Sequence, residues 1–322
     1  MFPLQPAQLT SPGGIHSVRT TVTMLKFLTK LLSRSWRLFL LVLRHAKFLR
    51  KVDFALIVAN STEKLLNLSE SQSFFPTRRT DPERVKALVR RLHPVATDKE
   101  LIRLGPNGDG GYLVPNDLEG ITACFSPGVS NVAGFELHCA ERGMTVFMAD
   151  ASVDAPPEFH PQFRFTKKFI GSTTEGNFIS FEDWVNQSIN GSQQELLLQM
   201  DIEGYEYETF LSIPKDLQQR FRIIVVEFHF LDYLFSEPLF SIYSRAFEKI
   251  LSTHRCVHIH PNNIAKSLKV GSLEIPQMAE FTFLKSERIS KPVFATQFPH
   301  PLDHENSEGT PLRLPKSCYR AS

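Results

Sequence analysis

Several short apolar runs in this chain end in groups that can do chemistry. LLLQMDIEGYE drives into Asp201, Glu203, Gly204 and Glu206. Carboxylates at i and i+2 just past a buried strand converge on one side, and holding them there is costly without a cation or hydrogen-bond donors. RIIVVEFHF puts Glu227 and His229 on one face by the two-residue period of a strand, and VHIHPNN adds His258, His260, Asn262 and Asn263. Such a set suits a general base or a divalent ion with oxygen and nitrogen ligands, and at this point both stay open. For any one histidine, the plain alternative is a strand-end side chain hydrogen-bonded to a loop.

Three further segments offer backbone or polar contacts. In FSPGVSN, residues 125–131, a small-residue turn at Gly128 leads into the helical pattern Val132–Arg142 and presents free N–H groups at a helix start. MTVFMAD then stops at Asp150, about twenty residues further on, where an acid can accept hydrogen bonds from both ribose hydroxyls. The plain alternative is that Gly128 makes a turn and Asp150 caps a loop; the full G-x-G-x-x-G is missing. RLGPNGDGGYLVP, residues 103–115, reads as a hairpin with a tight turn at Asn107–Gly111, or as a flexible lip offering Asp109 and Tyr112.

The elements that must hold these residues follow from patterning. The β-like runs are Ile121–Ser126, Thr145–Asp150, Phe163–Ile170, Glu195–Asp201, Arg222–Phe230 and Cys256–His260, with Ala279–Lys285 as a last edge strand. Helical patterns alternate with them, so the fold class is α/β, a mostly parallel sheet with helices on both faces. In such sheets ligands sit beyond the carboxyl ends of the strands, where the polar groups above fall. Asp81-Pro82 opens a short helix that ends before Pro94. The chain divides into a basic arm (1–60), a connector and lead-in helix (61–98), the α/β body (99–315) and a tail (316–322).

Charge sets the arm apart. Residues 1–52 hold nine Lys/Arg and no acid, while the other 270 carry 27 Lys/Arg against 34 Asp/Glu, so a net charge of +2 hides a basic arm on an acidic body. The body is unsuited to nucleic acid. Lys26, Lys30, Arg34, Arg37, Arg44, Lys47 and Lys51 follow one helix face among leucines and phenylalanines, and no apolar run reaches the ~20 residues of a membrane span. Residues 24–51 are expected to lie on an anionic membrane surface or to act as a targeting segment, with Met24 as an alternative start. Cys124, Cys139, Cys256 and Cys318 form no C-x-x-C pair, which mildly favours a reducing compartment. Four N-x-S/T sequons, at Asn60, Asn67, Asn186 and Asn190, keep a luminal one open.

Taken in order, GDGGY (108–112), SPGVSN (126–131), Asp150, MDIEGYE (200–206), VVEFH (225–229) and HIHPNN (258–263) resemble the FkbM-type methyltransferases, a family that uses S-adenosylmethionine. The resemblance covers residues 99 to about 315. It implies a Rossmann-like seven-stranded sheet with an antiparallel last strand, and O-methylation of a hydroxyl on a sugar, glycolipid or natural-product-like small molecule. It implies cofactor contacts from Asp109, Gly110, Gly111, Gly128, Ser130, Asn131, Asp150 and Asp201, with Asp201 beside the reacting methyl. His229, oriented by Asp201 or Glu227, is expected to take the hydroxyl proton, with Glu203 nearby as a third catalytic candidate. A divalent metal is an alternative to which no ligand set is assigned. Two competing functions are a nucleotide-cofactor oxidoreductase and a non-catalytic membrane-associated protein that keeps the fold.

Overall fold

A computed structural model describes residues 77–129, 131–189 and 194–320. The expectations for the arm, for 61–76, for Ser130 and for the sequons at Asn60, Asn67 and Asn190 lie outside these residues. The unit that starts at Thr77 is organised by a seven-stranded sheet.

The strands are β1 (Leu101–Leu104), β2 (Tyr112–Pro115), β3 (Ile121–Pro127), β4 (Thr145–Ala149), β5 (Phe163–Thr166), β6 (Phe169–Gly171), β7 (Phe178–Ser180), β8 (Glu195–Met200), β9 (Phe221–Phe228), β10 (His254–Pro261), β11 (Ser267–Val270), β12 (Leu273–Pro276) and β13 (Ala279–Lys285). The main sheet runs β10-β13-β9-β8-β3-β4-β5, with β5, β4, β3, β8 and β9 paired in parallel. All eight residues of β9 are buried, as a strand covered on both faces requires. Helices α1 (Pro82–Arg91), α2 (Gly134–Glu141), α3 (Phe181–Ser188), α4 (Glu206–Ser212), α5 (Lys215–Gln218) and α6 (Glu237–Leu251) complete the unit. Apolar side chains form two layers, one on each side of the sheet. Leu198, Ile224 and Phe247 belong to one, Leu197, Val225 and Phe135 to the other. Helix α1 starts as its sequence requires, with the Asp81 carboxylate accepting from the Glu83 N–H at 3.0 Å and Pro82 in the first turn.

Three expectations are corrected. Ala279–Lys285 is an interior strand, antiparallel to both β9 and β10, so the ends of β9 and β10 are not adjacent. Both its faces are buried, Phe281 and Phe283 entering one apolar layer and Leu284 the other beside the buried Glu280 and Thr282, which suits an interior place rather than an edge. Phe163–Ile170 is two strands. The Lys168 N–H turns back to the Thr166 carbonyl at 2.8 Å, and β6 leaves the main sheet to pair with β7. Asn107–Gly111 is part of a seven-residue loop between β1 and β2, where a tight turn was expected. The Arg103 guanidinium shapes it, donating to the Pro106 carbonyl at 2.6 Å and to the Gly108 carbonyl at 2.7 Å.

The two ends of the sheet treat charge differently. At the amino ends of β8 and β9, Arg222 pairs with Glu195 and donates to the carbonyls of Asp117 and Glu119, both at 2.7 Å, while Arg288 grips the Asp117 carboxylate with two bonds of 2.8 and 2.6 Å. Arg222 and Asp117 are buried, and the Arg288–Asp117 pair is bidentate, the arrangement in which ion pairs hold best. At the carboxyl ends, beside the point where chain order reverses between β3 and β8, acids gather instead. All four cysteines are free and buried. No helix among the described residues is long and apolar enough to cross a membrane.

His254 is fully buried at the start of β10, its Nε2 2.7 Å from the Phe221 carbonyl and its Nδ1 2.7 Å from the Thr253 hydroxyl. Burial pushes the imidazole down to about 4 from 6.5. The unfolded chain therefore takes up a proton between pH 6.5 and 4 that the fold refuses, and stability falls across that window by at most about 3 kcal/mol. Urea titrations at a series of pH values should show His254→Gln less stable at pH 7 but with a shallower loss between pH 6.5 and 4.

Candidate active site

The cleft begins where three parallel strands end together. Gly128 follows β3 with φ +90°, and a Cβ placed there would sit 1.5 Å from the Asp201 carbonyl oxygen. Around this crossing the Gly128 N–H donates to the Ala149 carbonyl at 3.0 Å, and the Asp201 N–H donates to the Pro127 carbonyl at 3.2 Å. Only glycine allows both the left-handed backbone and the approach. The ends of β3, β4 and β8 are thereby tied into one floor.

Above that floor lies a cleft of about 550 Å³, lined by Asp109, Gly128, Val129, Asp150, Asp201 and Glu203, with an apolar side formed by Phe169, Ile170 and Phe178. Its volume suits a ligand the size of a nucleoside. Asp150 uses one oxygen to accept from the Val129 N–H at 3.0 Å and the other to accept from the Ser152 N–H and hydroxyl, each at 2.6 Å. It thus braces the glycine turn while lining the cleft. Gly110, Gly111 and Asn131 are not among the lining residues. Gly111 instead serves the loop, where a Cβ would meet the Pro106 carbonyl at 2.1 Å.

Beside the floor, Glu206 is fully buried. Its Oε1 accepts from the N–H groups of Ile202 at 3.1 Å and Gly204 at 3.0 Å, and lies 3.1 Å from His229 Nδ1. Glu206 therefore orients His229, a task expected of Asp201 or Glu227. The other ring nitrogen, Nε2, turns toward Glu203 at 3.4 Å and Asp201 at 3.8 Å. Glu203 holds a left-handed φ of +56°, which is uncommon for a residue with a side chain, and Phe230 on the facing loop does the same at +55°. Burial opposes charge on His229, but its bond to Glu206 and the fields of Glu206, Asp201 and Glu227 win and raise it to about 9. Asp201 is raised well above the usual carboxylate range by burial, then by Glu227, against a lowering pull from His229. Two neighbouring groups are thus both tuned toward holding a proton, and they titrate as a pair.

The polar row continues across the sheet. Glu227 faces Glu280, and Glu280 faces His260, as partners in register on β9, β13 and β10. Burial and the field of Glu280 push Glu227 up to about 8, although Asn262 donates to it at 2.6 Å. Burial likewise lifts Glu280 to about 7. His258 and His260 do not reach Asp201. They pair with Asp303 at 2.8 and 3.7 Å, because β13 separates them from β9. The C-terminal segment, expected to do no more than cover a sheet edge, supplies Asp303 to these histidines, Asn306 to Glu280 at 2.6 Å, and Ser307 to Asn263. Sequence reasoning missed Asp303 and Asn306, which no pattern links to the strands, and left Glu206 without a role although the motif contains it. In the Phe228–Phe240 segment, Phe228, Leu231, Leu234, Phe235 and Phe240 are core, and of its aromatic side chains Phe230 and Tyr233 are exposed.

A parallel sheet with a reversed strand, a glycine floor and an acid at each neighbouring strand end is the arrangement of a Rossmann-like methyltransferase. Residues 132–254 match the family model of the methyltransferase FkbM domain. Asp150, MDIEGYE and VVEFH fall inside the match, whereas GDGGY, SPGVSN and HIHPNN fall outside it. Among solved structures, the chain is similar to a protein of Anabaena variabilis described as a methyltransferase from an antibiotic biosynthesis pathway, at 12% identity and a TM-score of 0.26, over 57% of this chain and 66% of that one. It is also similar to EvdMO1, at 12% identity and a TM-score of 0.24, over 64% of this chain and 47% of that one. In both cases the chain spans less than two thirds of the other's length. No curated protein matches the chain.

Two substitutions test this geometry. Gly128→Ala must break the crossing, at a cost of at least ~3 kcal/mol from the clash and the left-handed backbone together; urea denaturation showing a loss under ~1 kcal/mol would contradict the close approach. Glu206→Ala leaves two backbone N–H groups and His229 Nδ1 without their acceptor, costing about 3–5 kcal/mol. NMR titration of the His229 ring in that variant should give a pKa below the wild-type value.

Proposed function

We propose that this cleft binds S-adenosylmethionine and that the enzyme methylates a hydroxyl oxygen on a neutral small molecule or glycan. The observation that carries the reading is the charge of the lining. Asp109, Asp150, Asp201 and Glu203 line the cleft, and no Lys or Arg is among the described lining residues. Such a wall favours a cation and opposes an anion. A sulfonium meets that demand, whereas the two phosphates of a nicotinamide dinucleotide find acids and no Lys or Arg among the described lining residues. The oxidoreductase alternative loses support on that ground.

The residues present also fit the rest of the cofactor. Phe169, Ile170 and Phe178 offer an apolar slot for a purine, Asp150 has oxygens at the height of a ribose, and the Gly128 turn lets a ligand lie against the backbone. Bound there, S-adenosylmethionine supplies an electrophilic methyl group. The protein aligns the acceptor oxygen with that methyl and removes the hydroxyl proton. The Asp201–His229 pair takes up this proton, with Glu206 holding the ring through Nδ1. His229 must first be neutral, and positive charge entering the acidic cleft favours that state.

Outside the described residues, we assign residues 24–51 to an anionic membrane surface, on the periodicity of their basic face and their lack of acids. This would place the enzyme near lipid-linked or membrane-delivered acceptors.

Calorimetry with S-adenosylmethionine and S-adenosylhomocysteine should show binding, weakened at least tenfold by Asp150→Ala, while NADH gives no heat of binding. Absence of binding to either sulfur compound would sink the cofactor assignment and favour a non-catalytic role. In a turnover assay with an identified acceptor, Asp201→Asn should lower kcat by about 10²–10⁴ with much smaller change in cofactor affinity. Flotation with anionic liposomes should carry the full chain and leave a protein starting at residue 61 behind.

A further inference from the structure

Three side chains in the cleft have the composition and spacing of a cation-binding set. Asp201 Oδ1, Glu203 Oε2 and His229 Nε2 all lie within 4.8 Å of one another. Two atoms bound to one small divalent ion, each about 2.1 Å from it, are separated by no more than about 4.2 Å. The distances from His229 Nε2 to Glu203, 3.4 Å, and to Asp201, 3.8 Å, already fall inside that limit. A small side-chain rotation is enough to bring the third pair in.

Two observations separate this set from a mere gathering of acids. His229 is only 4% exposed, and its Nδ1 is held against the buried Glu206. Nε2 lies toward the two carboxylates that line the cleft, Glu203 and Asp201. A carboxylate behind one nitrogen of an imidazole, fixing the other toward an open position, is how proteins orient histidines that bind metals. Asp201 Oδ1 is likewise out of solvent, with no hydrogen-bond partner among the described residues. An unsatisfied carboxylate oxygen and an imidazole nitrogen therefore lie within reach of one cation, and a dication satisfies the oxygen while taking the nitrogen as a ligand. Glu203 completes the set from the rim. Its side chain is 86% exposed, free to swing in when an ion arrives.

We propose that Asp201, Glu203 and His229 bind one divalent first-row cation at the wall of the cleft, with Glu206 as the positioning residue behind His229. Two carboxylates and a neutral imidazole balance a charge of +2, and three protein ligands leave coordination positions open toward the cleft. On the methyltransferase reading, an acceptor hydroxyl takes one of those positions. With the ion bound, Asp201 and His229 would serve as its ligands instead of taking the proton, and the ion would lower the pKa of that hydroxyl so that its proton could pass to solvent. The use of the ion rests on that reading. Its binding does not.

Mn²⁺ is the probe, followed by electron paramagnetic resonance on the full chain without cofactor. One ion should bind per chain, and Zn²⁺ should displace it. Glu203→Gln should weaken binding at least tenfold, and this substitution lies on an exposed side chain that folding does not need. His229→Ala should abolish binding, with circular dichroism used to verify its fold. Glu280→Gln, in the polar row but outside the set, should bind as the wild type does. Failure to hold Mn²⁺ at millimolar concentration, or equal binding by wild type and Glu203→Gln, overturns the site. S-adenosylhomocysteine calorimetry on the same preparations reports separately on the cofactor reading, so either assignment can fail while the other stands.

Discussion

The contact on which everything else rests is the crossing of two backbones at Gly128 and Asp201. Parallel strands end with unpaired peptide groups, and at the switch between β3 and β8 those ends must be stitched before any ligand can be held. Here the stitching is done by hydrogen bonds to Ala149 and Pro127, made at a separation that excludes any side chain. The floor of the cleft is therefore backbone, and its position is fixed by sheet geometry rather than by rotamers. Asp150 ties in from the side by accepting from Val129, so the loop after β4 is held to the same floor.

On that rigid base the protein concentrates like charges, which is the opposite of what it does at the far end of the same strands. Arg222 and Arg288 neutralise Glu195 and Asp117 there. At the carboxyl ends, Asp201, Glu227 and Glu280 have their carboxyls raised by burial, Asp201 further by Glu227 and Glu227 further by Glu280, and His229 is raised by the acids around it. Such an arrangement costs stability in the resting protein and is relieved by positive charge. Sites that spend stability in this way are where function is expected to lie.

Much of this was legible in the residues, for reasons that can be named. Strands buried on both faces show as unbroken apolar runs, which is why β8 and β9 were located within a residue or two, and the acids directly behind them could be placed at strand ends. MDIEGYE could be singled out, but its hierarchy could not. Asp201 and Glu206 are both acids in one short segment, and only the fold shows that Glu206 is the buried hub and Asp201 faces the cleft. The neighbours of β10 were misjudged because chain order does not reveal that Ala279–Lys285 inserts between β9 and β10. Asp303 and Asn306 were missed because they reach the strands from a turn-rich segment with no periodicity.

The inserted strand also bears on how the chain is made. β9 is buried along its whole length, and its outer edge is covered only by β13, more than fifty residues later. While a ribosome is still building α6 and β10, the five parallel strands can assemble but must carry a long, hydrophobic, unpaired edge. That edge is a template for the wrong partner, another nascent copy included. A demand for chaperone protection during synthesis is thus written into the strand order, and it falls in the interval between the emergence of residue 228 and that of residue 285.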